Sequence, residues 1–464
     1  MADSLPVLPI KPLLLVLCHP LTGHVTPVLR LAALLHQRHW SVSFLSSTFF
    51  RARIEAAGLR FFPLLGAADL DDRSLFPRSP PQLAGEPEER HAVPSIIDSH
   101  HQTLDSIPAQ WESVKAALTA LHLNASGRQV VVICEAFFYG GLPLKLGAPL
   151  PGGVPAPPTL CVSITAPAIR SVDLPPFCWP LPFDQSADGR TRNAAAWDEW
   201  TSRVAPLTAA LDARLREAGA SRGVGQVFMG GGNYLLHNAV LQVGLPGFEY
   251  PRSDLPDRFK LIGILPPTEG GARTDLPWWA ELEANSNLDS RDPDRKKIVV
   301  VAQGTVETEP TELILPTLRY LEGRRNVLTV AILGSRGASL SPTVRMPENA
   351  WVADYLNYDA VLRHADLWVH NGGYGATTHG ISHGVPMVIA GEGQDKPESG
   401  KRVAYSGLGI DLGCARPSLE QLGQAIDRVL EEPRFAEAAR RMRRAAINTD
   451  CVHLMQEEIF RFTS

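Results

Sequence analysis

The run Leu13-Leu14-Leu15-Val16-Leu17-Cys18 and the turn after it, His19-Pro20-Leu21-Thr22-Gly23-His24-Val25-Thr26-Pro27, decide the fold class. A compact apolar run without polar alternation is the pattern of a parallel strand covered on both faces. The period then changes. Val28, Leu31, Ala32 and Leu35 share one helical face between residues 27 and 39, with Thr26 suited to the N-cap and Pro27 to the first helical position. A second apolar run, Val42–Ser46, follows. Strand, helix, strand is the opening of a doubly wound parallel sheet, and Val130–Cys134 and Leu160–Ser163 extend it.

The pattern begins again at Lys297–Ala302 and continues through Val327–Leu333, Trp351–Ala353, Leu367–Val369 and Val385–Ala390. Two α/β units are therefore expected, residues 1–264 and 297–445. A linker at 265–296, rich in Pro, Gly and polar residues, should join them, and 446–464 should return as a helix onto the first unit. Such sheets bind ligands beyond the carboxyl ends of their strands. Two facing Rossmann-like domains would thus place chemistry in the cleft between them.

Composition narrows the partners. The chain has 464 residues, enough for two cores, and a net charge of -5, which argues against nucleic acid or an anionic membrane surface. Six cysteines (Cys18, Cys134, Cys161, Cys178, Cys414 and Cys451) are scattered without a Cys-x-x-Cys pair, so neither a disulfide framework nor a zinc knuckle is expected, and a reducing cytoplasm fits. The run at 13–18 is too short for a leader and Pro12 precedes it. No apolar stretch reaches the roughly 18–20 residues of a membrane helix.

The strongest local signal is His370-Asn371-Gly372-Gly373-Tyr374-Gly375-Ala376-Thr377, directly after the strand Leu367–Val369 and before a helix expected over 376–383. Glycines let a backbone approach a ligand closely, and the helix start turns its N–H groups toward it, which suits a diphosphate. Gly304-Thr305, after Lys297–Ala302, is a second phosphate-side candidate. Asp395-Lys396, after Val385–Ala390, offers a carboxylate to accept from sugar hydroxyls and an ammonium to donate. In the first half, His24 follows strand Leu13–Cys18 at the carboxyl edge of its sheet. Imidazole titrates near neutrality and can take a proton from an attacking hydroxyl. Glu135, at the end of Val130–Cys134, is placed to orient it, and His19 is the nearest rival base.

Taken together, these residues resemble the family 1 glycosyltransferases, the UDP-glycosyltransferase group with two facing Rossmann-like domains (the GT-B architecture). The resemblance spans nearly the whole chain and is closest to fungal and bacterial macrolide-type members. It rests on Gly23-His24-Val25-Thr26-Pro27, Gly304-Thr305, Asn371-Gly372-Gly373-Tyr374-Gly375, Gly384-Val385-Pro386-Met387 and Asp395-Lys396-Pro397. It implies His24 as catalytic base, Thr305 on the diphosphate, Tyr355 stacked on uracil and the Leu356 backbone bonding that base. Four positions depart from the family's usual residues. Asn371 stands where a histidine touches phosphate, with His370 one place early. His379 replaces the ribose-binding glutamate, Lys396 the glutamine of the sugar pair, and Glu135 the usual aspartate.

The resemblance implies an inverting transfer of a hexose, glucose in the first instance, from a UDP-sugar co-substrate to a small apolar acceptor such as a polyketide, phenolic or terpenoid. No further cofactor and no metal is expected, since no Asp-x-Asp pair flanks the donor residues. The oligomeric state stays open, and a monomer suffices. Rival readings are a nucleotide-sugar epimerase of the same fold and a catalytically silent nucleotide-sugar-binding partner. An NAD-linked oxidoreductase is disfavoured, because the first turn lacks Gly-x-Gly-x-x-Gly.

Overall fold

In the computed structural model, residues 11–71, 100–125, 127–270, 273, 275–304 and 309–463 are described. Thr305, one of the residues expected at the diphosphate, lies outside them. The first sheet contains β1 (Leu13–Leu17), β2 (Ser41–Ser46), β3 (Arg60–Pro63), β4 (Val130–Glu135), β5 (Thr159–Ser163), β6 (Ala239–Gln242) and β7 (Phe259–Leu261), in the order β3-β2-β1-β4-β5-β6-β7. The second contains β8 (Lys297–Ala302), β9 (Val327–Ile332), β10 (Ala350–Ala353), β11 (Leu367–His370), β12 (Met387–Ile389) and β13 (Gly409–Asp411), in the order β10-β9-β8-β11-β12-β13. Every pairing between these strands is parallel.

In both sheets the strand order reverses at one point, between β1 and β4 in the first and between β8 and β11 in the second. There the connections leave to opposite faces and a crevice opens. Register brings the expected residues to those points. Leu17 pairs with Cys134, which sets Glu135 beside the turn that carries His24. Ala302 pairs with His370, which sets Gly304 beside the glycine run.

Alternating residues of β1 explain the two faces of the first sheet. Leu15 and Leu17 join a core with Trp111, Val114 and Leu118 of the helix Ile107–Leu123, while Leu14 and Val16 join one with Val28, Leu31 and Leu35. The C-terminal helix Cys451–Arg461 completes that second core through Val452, Met455 and Ile459, all buried.

Several elements differ from expectation. The short strands β3, β6, β7 and β13 carry too few residues to stand out as apolar runs. The first helix spans Thr22–Gln37, with Leu21 as N-cap and Pro27 inside it. The carbonyl of Leu21 accepts from both His24 N (2.9 Å) and Val25 N (2.8 Å), so the helix starts before the proline, whose missing N–H forfeits a single bond. The segment 265–296 holds a helix, Trp279–Asn287, whose Trp279 and Leu282 are buried, and the neighbouring Trp278 stacks on Trp351 at 5.2 Å. The helix after β11 starts at Tyr374 and ends at His383.

Ile459, fully buried, tests how far the last helix supports the first domain. Ile459→Ala should cost about 2–5 kcal/mol and lower the thermal midpoint, with UDP affinity of the folded protein unchanged. A midpoint equal to that of the parent chain would show that the helix is dispensable to this core.

Candidate active site

His24 rides the first turn of the helix Thr22–Gln37, so its Cβ direction is set by regular backbone rather than by a loop. Its Nδ1 lies 3.1 Å from Oε1 of Glu135; the imidazole is 17% exposed and the carboxylate 0%. Glu135 is fixed in turn by the Phe137 amide, which donates to the same oxygen at 3.1 Å. Phe137 and His19 each meet the His24 ring edge-on, at 5.5 and 5.4 Å.

Across the cleft, Gly372 has φ +88°, and a Cβ there would meet Ile389 at 2.8 Å, so only glycine allows this turn. The helix Tyr374–His383 then begins with Gly373 as N-cap, and its first backbone bond runs from Thr377 N to Gly373 O (3.0 Å). The amides of Tyr374, Gly375 and Ala376 thus precede the ladder and take no bond from their own helix. The Asp395 carboxylate reaches the Tyr374 amide. Burial pushes its pKa up, and the fields of Lys396 and His24 pull it back. His24 and Asp395 therefore sense each other across the two domains.

Several residues expected to touch donor do so, at most, through the main chain. Tyr374 points its phenol away, with its hydroxyl in donating reach of Val243 O (2.7 Å) or Glu249 Oε1 (2.9 Å) of the first domain. Thr377 is buried and its hydroxyl donates to Gly373 O at 3.2 Å. His370 lies under the glycine run, stacked on Trp368, where Nδ1 accepts from Gly372 N at 3.1 Å and burial holds the imidazole pKa down at about 3. Asn371 donates to Gln303 O and so ties the loop after β11 to that after β8, beside Gly304. Leu356 is buried in the core. Tyr355 is 37% exposed, and the Arg336 guanidinium sits over its ring at 4.8 Å. Lys396 is buried, with Nζ 3.4 Å from Gln394 Oε1.

The loop at residues 174–183 docks on the second domain. The amide of Cys178 donates to Glu398 Oε1 (2.9 Å), and Phe183 meets Tyr405 edge-on. Beside it, Arg402 donates to Glu249 Oε2 of the first domain (2.8 Å) and to Glu398 Oε2 (2.7 Å).

Sequence reasoning missed Asp359. Its Oδ1 lies 2.6 Å from His379 Nδ1 and 3.0 Å from His383 Nε2; its Oδ2 accepts from Thr268 N and Oγ1, both at 2.7 Å, and lies 3.6 Å from Arg30 of the first domain. His379 is thereby engaged by the protein's own carboxylate. A lone acid inside the apolar stretch Tyr358–Leu362 was the available signal.

Comparison with known proteins settles the family. A profile described as the C-terminal domain of erythromycin biosynthesis protein CIII-like matches residues 329–457. UDP-glucosyltransferase A1 of Starmerella bombicola is 33% identical over 450 residues, covering 97% of this chain and 92% of its own. UDP-glycosyltransferase 2 of Phaeomoniella chlamydospora is 34% identical over 459 residues, covering 97% and 95%. The chain belongs to the family 1 UDP-glycosyltransferases. Among solved structures, the glycotransferase of kitacinnamycin superposes on this UDP-glycosyltransferase with a TM-score of 0.69 at 19% identity, covering 98% of this chain and 100% of that one. The two parallel-sheet domains are those of the GT-B fold. As a UDP-glycosyltransferase, the enzyme uses a nucleotide-sugar donor.

Burial raises the Asp359 pKa, but hydrogen bonds from His379 and His383 outweigh it and pull it far below the carboxylate range. A depressed folded pKa contributes stability that is present above the unfolded value, about 3.9, and is lost as pH falls toward the folded one. Asp359→Ala should cost about 3–5 kcal/mol at neutral pH, and its deficit relative to the parent should shrink below about pH 4. A deficit independent of pH, read by chemical unfolding, would assign the effect to packing alone.

Proposed function

We propose that this UDP-glycosyltransferase moves glucose from UDP-glucose, with inversion, onto a hydroxyl of a small apolar or aromatic natural product such as a polyketide, phenolic or terpenoid. The observation that carries the reading is the pairing of His24 Nδ1 with Glu135 Oε1 at one switch point, opposite Asp395 and the amides of Tyr374 to Ala376 at the other. The name UDP-glucosyltransferase of the Starmerella bombicola relative supports glucose. Six unpaired thiols, five of them buried, support a reducing cytoplasm.

Glu135 holds Nδ1, which leaves Nε2 to take the proton from the acceptor hydroxyl. The acceptor oxygen forms its bond to the anomeric carbon as the bond from that carbon to the diphosphate oxygen breaks on the opposite face. UDP departs with the electron pair. The imidazolium is stabilised by buried Glu135, and the new charge on the diphosphate by the helix N-terminus and its amides. Asp395 accepts from sugar hydroxyls, while the exposed Tyr355 ring stacks on uracil. In this scheme the protein supplies the compensating charge itself.

General base catalysis typically contributes ~10²–10⁴-fold, so His24→Ala should lose about that much turnover with an aliphatic alcohol while UDP affinity by calorimetry persists. Glu135→Gln should lose less. A phenol, partly ionised near pH 9–10, should recover rate in the His24 variant at high pH, and the alcohol should not. Near-normal alcohol turnover in His24→Ala would sink the mechanism.

A further inference from the structure

His19 occupies the turn between β1 and the helix that carries His24. It is 6% exposed, and among the described residues its Nδ1 is enclosed with no hydrogen-bond partner. Burial first, then the nearby His24 and His100, keep its imidazole in the neutral form. A buried donor or acceptor left unpaired costs about 1–3 kcal/mol, and phenylalanine would fill similar space without that penalty. The surroundings are aromatic: Phe137 touches His24, and His100 touches both Phe137 and Phe228, at 6.2 and 5.1 Å. In an apolar pocket with few polar groups, those groups fix the orientation of the ligand.

The two imidazoles stand edge to face with centroids 5.4 Å apart. At that spacing, an acceptor with its reacting oxygen at His24 would carry its next polar atom to His19, whose enclosed Nδ1 it reaches once the ring turns toward it. We propose that His19 is a specificity residue for the acceptor, hydrogen-bonding a second oxygen carried on the carbon adjacent to the one whose hydroxyl receives the sugar. The inference rests on the acceptor-side reading of His24. It adds that preferred acceptors are vicinal diols or catechols. A neutral imidazole suits this task, since it can accept from a hydroxyl or donate to a carbonyl according to its tautomer.

The test compares catechol with 2-methylphenol, which has a methyl group in place of the second hydroxyl. Both are measured on the parent enzyme, His19→Phe and His19→Gln, as KM and kcat with UDP-glucose and as Kd with UDP bound. The parent should prefer catechol by up to about tenfold in KM and Kd, the size of one hydrogen bond. His19→Phe should abolish that preference by weakening catechol alone, with kcat little changed, and His19→Gln should restore part of it. UDP affinity should be the same in all three proteins, which separates this inference from the donor site. Absence of a catechol preference in the parent, or equal weakening of both probes in His19→Phe, overturns the assignment. If His19→Phe instead lost kcat on both and regained it at high pH, His19 would be the base, and the reading of His24 would fail with it.

Discussion

A guanidinium with almost no contact with water decides how the two halves of this enzyme meet. Arg402 leaves the second domain to lie between Glu249 of the first and Glu398 of its own helix. A buried charge is tolerable only when it is paired and hydrogen-bonded, and removing one partner is far costlier than the pair is favourable. The two carboxylates come together around Arg402 when the domains face each other as they do here. Everything at the site follows from that. The switch point of each sheet looks at the other, and His24 comes within electrostatic reach of Asp395.

The second constraint is local and concerns the glycine run. Its turn needs a left-handed residue at Gly372, and the helix that follows needs its first amides uncovered. Once those are met, the side chains are available for other work. His370 and Asn371 brace the loop from beneath and from the side, and the phenol of Tyr374 crosses to the other domain. The chemistry assigned to this segment is thus that of its backbone.

Both halves of the fold were legible because buried parallel strands leave dense apolar runs and because the run pattern restarts. The strands of three or four residues were not, since so short a segment has no period of its own. The first helix was misplaced for a related reason: Pro27 carries a start signal, and nothing in the residues themselves says that Leu21 already accepts the first bonds. At the site, position along a strand was enough to bring His24 to Glu135. Side-chain direction is not legible that way, so nothing in the residues says that the Tyr374 phenol, the Thr377 hydroxyl and the His370 ring turn into the protein. Asp359 was missed because its partners come from segments some 90 residues before it and 20 after it.

The Tyr374 phenol has a further meaning. Its amide meets Asp395 and its hydroxyl the first domain, separated by one side chain. The far end of that side chain is anchored to Glu249, which also binds Arg402. One residue thereby joins the glycine run to the seam between the domains, so whatever shifts the loop after β11 is felt at the buried guanidinium.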